Sequence, residues 1–142
     1  MVATAPITAL AKLGFVADQV ILEIGYDDDV DDALRAQIEE TVAGELEDED
    51  YDGFADGVLL WWREDDGDLT DLTDALVDAL TTLEDQGFIA LLTPKVGRPG
   101  EVDPSDITEA AETSGLQASA SVNLTPQWSG TRLVAPKSGA RR

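Results

Sequence analysis

Apolar and polar positions fall in blocks that switch between strand and helix spacing. Val20-Ile21-Leu22 is continuously apolar and suits a buried parallel strand over about 19–24. Val30, Leu34, Ile38 and Val42 then recur at helical spacing, opened by the acidic run 27–32 and closed by Gly44. Residues 57–62 predict the next buried strand. Leu69, Leu72, Leu76, Leu80 and Leu83 mark a helix running to a stop at Gln86-Gly87, and 88–92 a third buried strand. Residues 7–13 read as one or two helical turns, and the acidic stretch 45–52 has room for one short edge strand near Leu46. A loop over 93–104 leads to a helix ending at about Ser114, with Pro104 at or near its first position. Strands at 117–124 and 132–135 are joined through 125–130 as an antiparallel hairpin, with Gly130 supplying a positive φ and Trp128 capping the sheet edge.

Strands alternating with helices and closing in a hairpin imply a parallel sheet with helices on both faces and an antiparallel edge. At 142 residues there is room for one core. The expectation is a single α/β domain over 1–137 with a frayed tail at 138–142.

Composition then limits the chemistry. The chain has no Cys and no His, which removes thiol nucleophiles, disulfides, thiolate metal sites and His-dependent triads. Its start has neither a basic leader nor a long apolar core, and no run approaches a membrane span, so a cytoplasmic protein is expected. The net charge is −21, and residues 1–94 hold 25 acidic side chains against three basic ones. Direct nucleic-acid binding is disfavoured, and a protein partner with a basic surface suits this charge better. Self-association, head-to-tail or through the edge strand, is also open.

Two resemblances sharpen the picture. Glu23-Ile24-Gly25 after an apolar strand, Ala55-Asp56-Gly57-Val58-Leu59-Leu60, and the segment from Leu83 through Gly87-Phe88 to Thr93-Pro94 together resemble S-adenosylmethionine-dependent methyltransferases over about residues 15–95. Leu13-Gly14-Phe15, the run from Tyr26 to Asp32, Leu59-Leu60-Trp61-Trp62-Arg63, Leu92-Thr93-Pro94-Lys95 and Trp128-Ser129-Gly130-Thr131-Arg132 are similar to a bacterial domain of unknown function, number thirty fifty-two, over nearly the whole chain. Together they imply an α/β fold: a truncated Rossmann-like (methyltransferase-like) three-layer sheet, mostly parallel, with a C-terminal antiparallel hairpin.

The resemblance also exposes what is altered. A working cofactor loop uses Gly-x-Gly and bare helix amides to receive an anion. Only Gly25 remains, Asp27 stands at the second glycine position, and Asp28, Asp29, Asp31 and Asp32 crowd the same end. Between Gly44 and Ala55 there is too little chain for the usual second strand, helix and third strand, which leaves Glu45 or Glu47 to serve as the ribose-binding acid. The expected function is a non-catalytic binding or regulatory module that uses no cofactor. The alternative is a small-molecule-binding enzyme, including an S-adenosylmethionine-dependent methyltransferase.

The candidate crevice comprises Glu23, Gly25, Asp27, Trp62, Arg63, Lys95 and Arg98, with no catalytic residue assigned. Trp61 and Trp62 must point to opposite faces of the sheet, one of them into the core. Arg63 is also the natural counter-charge for the acids at 27–32 or 64–68. The candidate partner surface is Asp28, Asp29, Asp31, Asp65, Asp66 and Asp68, and joint neutralisation of Asp28, Asp29, Asp65 and Asp66 is expected to leave the fold nearly intact. Residues 48–53 match the first half of a calcium-binding loop, but Leu59 stands where the bidentate Glu belongs, so no metal site is assigned.

Overall fold

The structure, a computed structural model, describes residues 7–135. The tail expected at 138–142 lies outside the described residues. The elements are α1 (Ile7–Leu13), β1 (Ile21–Ile24), α2 (Asp32–Val42), β2 (Ala55–Trp61), α3 (Leu69–Leu80), β3 (Leu83–Pro94), α4 (Pro104–Thr113), β4 (Gln117–Asn123) and β5 (Trp128–Val134). They form one five-stranded sheet in the order β1-β2-β3-β5-β4. β1, β2 and β3 pair in parallel, and β5 is antiparallel to both its neighbours. β4 therefore runs in the same direction as β1–β3, leaving β5 as the one reversed strand.

Alternating side chains of the sheet feed two separate cores. Ile21, Leu59, Trp61, Ala90, Leu92 and Trp128 meet α1 and α2 on one face. Leu22, Val58, Leu60, Ile89, Leu91 and Leu133 meet α3 and α4 on the other. Both faces being covered explains why β1, β2 and the second half of β3 read as continuous apolar runs. Among the described residues, no helix is long and apolar enough to cross a membrane.

The acidic runs open helices as expected. Asp31 accepts from the Leu34 amide at 2.9 Å, and Asp68 and Asp71 cap one another's backbone amides at 3.0 Å, which holds the Asp68 carboxyl below its usual range.

Several local features differ from the sequence expectation, among them the start of β5 at Trp128. α3 ends at Leu80, not at Gln86-Gly87, because the hydroxyls of Thr81 and Thr82 donate to the carbonyls of Asp78 and Ala79 and take up the end of the helix. Leu83 already lies in β3 beside Ala55, and it mimics the helical period because it packs on the same core. α2 closes at Ala43, with φ +62°, one residue before Gly44. Gly130 lies within β5 without a positive φ, and a Cβ there would come within 2.9 Å of Leu13 and Leu124 side chains, so space is what it supplies. Trp128 is buried on an inner strand and covers no edge; the turn is made instead by Thr125, whose hydroxyl accepts from the amides of Gln127 and Trp128.

Candidate functional site

The carboxyl ends of β1 and β2 lie side by side because the strands are parallel and in register from Ile21–Gly57 to Ile24–Leu60. This is where open α/β sheets place their ligands. Gly25 follows β1 with φ +85°, and a Cβ on it would sit 2.3 Å from the Trp61 carbonyl oxygen, so no other residue fits between the strands.

Side chains of the protein occupy both backbone groups of Gly25. Its amide donates to Glu49 Oε2 at 3.2 Å. Its carbonyl accepts from Arg63 Nη1 at 2.7 Å. The Arg63 guanidinium is clamped by Asp29, with Nε donating to Oδ2 at 2.9 Å and Nη2 to Oδ1, and Asp66 accepts from Nη1 at 3.3 Å. Arg63 is only 8% exposed and its guanidinium lies 5.5 Å from the Trp128 ring. Burial opposes its charge, but the hydrogen bonds and negative charges of Asp29 and Asp66 outweigh that and raise its pKa. The hydrogen bonds from Arg63 hold the Asp29 carboxyl below the ordinary range, against a partial desolvation that works the other way.

A second pair is built on Glu23, two residues before Gly25. Glu23, 6% exposed, accepts two bonds from Arg35 at 2.7 Å each and a third from the Trp61 indole at 2.9 Å. The carboxylate hydrogen bonds raise the Arg35 pKa, and its guanidinium also stacks on Tyr26 at 4.7 Å. Glu23 is thus fully engaged by residues of the chain itself.

Glu49 reaches this rim because Glu47 forms a short parallel bridge with Leu22, its amide donating to the Ile21 carbonyl and its carbonyl accepting from Glu23. This single bridge is the whole of the short strand expected near Leu46. The acidic stretch 45–52 consequently folds over the carboxyl end of β1. An open groove of about 510 Å³ there is lined by Glu23, Tyr26, Arg35, Asp48, Glu49 and Asp50.

The sequence-derived crevice residues therefore divide. Glu23, Gly25 and Arg63 converge. Trp62 packs on the opposite face, with α3, and lines a separate cleft of about 200 Å³ with Glu64, Asp68 and Asp106. Asp27 closes a turn, accepting from the Asp28 and Val30 amides. Lys95 and Arg98 make no side-chain hydrogen bond or ion pair with the described residues, and their loop meets Arg63 through Gly100. On the acidic surface, Asp29 and Asp66 serve the clamp and Asp31 and Asp68 cap helices, which leaves Asp28 and Asp65 exposed without side-chain partners among the described residues. Neutralising Asp29 and Asp66 would remove the clamp's carboxylates, which corrects the expectation that the fourfold change spares the fold. Among the described residues, no group of three or more carboxylates is placed to hold a metal ion.

Arg35, Glu49 and Trp61 were not in the expected set. Arg35 had a usable signal, since only three cations occur in residues 1–94 and each has many carboxylates to satisfy. Glu49 had none, because its contact depends on where the bridge at Glu47 lays the loop.

Comparison with known proteins places this geometry. A family model described as a protein of unknown function (DUF3052) matches residues 10–137. Uncharacterised proteins of Mycobacterium tuberculosis and Mycobacterium bovis are each 54% identical over 129 residues, which cover 91% of this chain and 79% of the relative. Among solved structures, the mitomycin 7-O-methyltransferase MmcR superposes with a TM-score of 0.65 at 14% identity, over 91% of this chain and 54% of that one. The O-methyltransferase NcsB1 from neocarzinostatin biosynthesis, with S-adenosyl-L-homocysteine and 1,4-dihydroxy-2-naphthoic acid, gives 0.68 at 12% identity, over 89% and 52%. The magnesium protoporphyrin IX methyltransferase of Synechocystis PCC 6803 with bound SAM gives 0.57 at 12% identity, over 91% and 77%. The chain spans about half the length of the first two structures, and at such identities the likeness is one of fold.

Proposed function

Because this chain belongs to the DUF3052 family of proteins of unknown function, and its fold is that of methyltransferases, we propose that it is a non-catalytic binding or regulatory module acting through a protein partner with a basic surface. One observation carries this reading: the amide and carbonyl of Gly25 are both taken by side chains of the chain, Glu49 and Arg63. A carboxylate-bearing cofactor arriving at that loop would have to displace Glu49 and approach Asp27, Asp28 and Asp29. Repulsion from fixed negative charge opposes it. Glu23, held by Arg35 and Trp61, is likewise closed to a cationic ligand.

Titration calorimetry with S-adenosylmethionine tests the closure. No saturable heat is expected, and micromolar affinity would overturn the reading in favour of a small-molecule enzyme. The partner surface has its own test at Asp28 and Asp65, which follow the ends of β1 and β2 and whose side chains have no partner among the described residues. Changing both to Asn should lower recovery of basic partners several-fold at low salt, while the melting temperature stays within about 2 °C, as for surface substitutions generally. Undiminished recovery would reduce these acids to solubilising groups.

A further inference from the structure

We propose that the chain pairs with a second copy of itself along β4, giving a ten-stranded sheet across a twofold axis. The sheet ends at β1 on one side and at β4 on the other. The β1 edge is partly covered by the bridge to Glu47. Among the described residues β4 is paired only with β5, and its outer edge offers backbone groups that none of them pairs, with Gln117, Ala118, Ser119, Ser121 and Asn123 exposed. Natural edge strands are usually protected by charged side chains, by Pro or by bulges. In a protein of net charge −21, residues 113–131 contain no charged residue at all. The edge strand is uncharged throughout, and Ala and Ser make up most of it, which lets a second backbone approach.

Among the described residues the one protective device is a bulge at Ser119, where the register shifts between Ala118 and Ala120 and Arg132 Nη1 donates to the Ser119 hydroxyl at 3.1 Å. Pairing therefore runs over residues 120–123, beyond the bulge. Charge selects a second copy antiparallel to the first. β4 runs in the same direction as β1–β3, so antiparallel pairing sends the acidic rims at the carboxyl ends of the two β1 and β2 strands to opposite ends of the double sheet. Like charge is kept apart while two neutral, self-complementary edges meet.

The test is sedimentation equilibrium of the full chain from about 1 to about 100 μM, since dimerisation follows protomer concentration. The expected mass rises to about twice the chain's 15.1 kDa. Ser121→Lys with Asn123→Lys sets like charges across the pair and should leave a monomer with an unchanged circular dichroism spectrum. Amide exchange in the unaltered chain decides the matter if the double variant does not fold. The outward amides of residues 120–123 should exchange at least about tenfold more slowly at high protein concentration than at low. A monomer throughout the range, a dimer undisturbed by the two Lys, or exchange at these amides independent of concentration would each overturn the proposal.

Discussion

Arg63→Met lowers the melting temperature by about 6–9 °C, reflecting a loss of about 2–3 kcal/mol at roughly 3 °C per kcal/mol for a chain of this size. The substitution keeps most of the apolar stem but removes the guanidinium donors that join the Gly25 carbonyl, Asp29 and Asp66, leaving only the backbone amide of residue 63 on Asp66. The estimate sits below the range for a fully buried pair because Asp29 is half exposed and water can replace part of what it loses. The pH dependence identifies the mechanism. Asp29 is depressed in the folded state, so its contribution is complete above the unfolded value of about 3.9 and is lost as pH falls through the lower folded value. The gap between the two proteins should be constant near neutrality and narrow in acid. A gap independent of pH down to the acid transition would show that Arg63 stabilises by packing alone.

Trp61→Ala carries the other large effect, about 3–5 kcal/mol, the usual range for truncating a fully buried aromatic side chain. Trp61 is inaccessible to solvent, meets Trp128 edge to face at 4.8 Å, and donates to Glu23. Trp62→Ala, at a position partly exposed on the other face, should cost about 1–2 kcal/mol. Urea unfolding of both variants makes the comparison, and a larger loss at Trp62 would reverse the assignment of the core aromatic.

The alternation of apolar strands with helix-spaced leucines was enough to give the parallel part of the sheet, because both of its faces are covered and β1, β2 and the second half of β3 read as apolar runs. That same double coverage hid which tryptophan entered which layer: β2 is apolar toward both sides, so adjacency gave opposite directions without saying which was which. Leu83 misled for a related reason, since a strand residue packed on the core of α3 continues its spacing. At the site, Arg63 was legible as a scarce cation among many acids, and Glu23 and Gly25 by their place at the end of the first strand. The closure by Glu49 was not, because it is set by one parallel bridge at Glu47, a tertiary contact with no local pattern behind it. The acidic residues looked interchangeable in sequence, whereas the fold gives Asp31 and Asp68 to helix ends, Asp29 and Asp66 to a guanidinium, and leaves Asp28 and Asp65 to solvent.

The crowding of Gly25 against the Trp61 carbonyl bears on how such chains are inherited. A glycine fixed by its neighbour's backbone persists through drift whether or not a ligand is ever bound, since every replacement is removed for failing to fold. A glycine counted behind a first strand therefore reports backbone packing at this position, independently of any ligand. The informative positions are the ones around it, and here Asp27, Glu49 and Arg63 are all held by contacts within the chain itself.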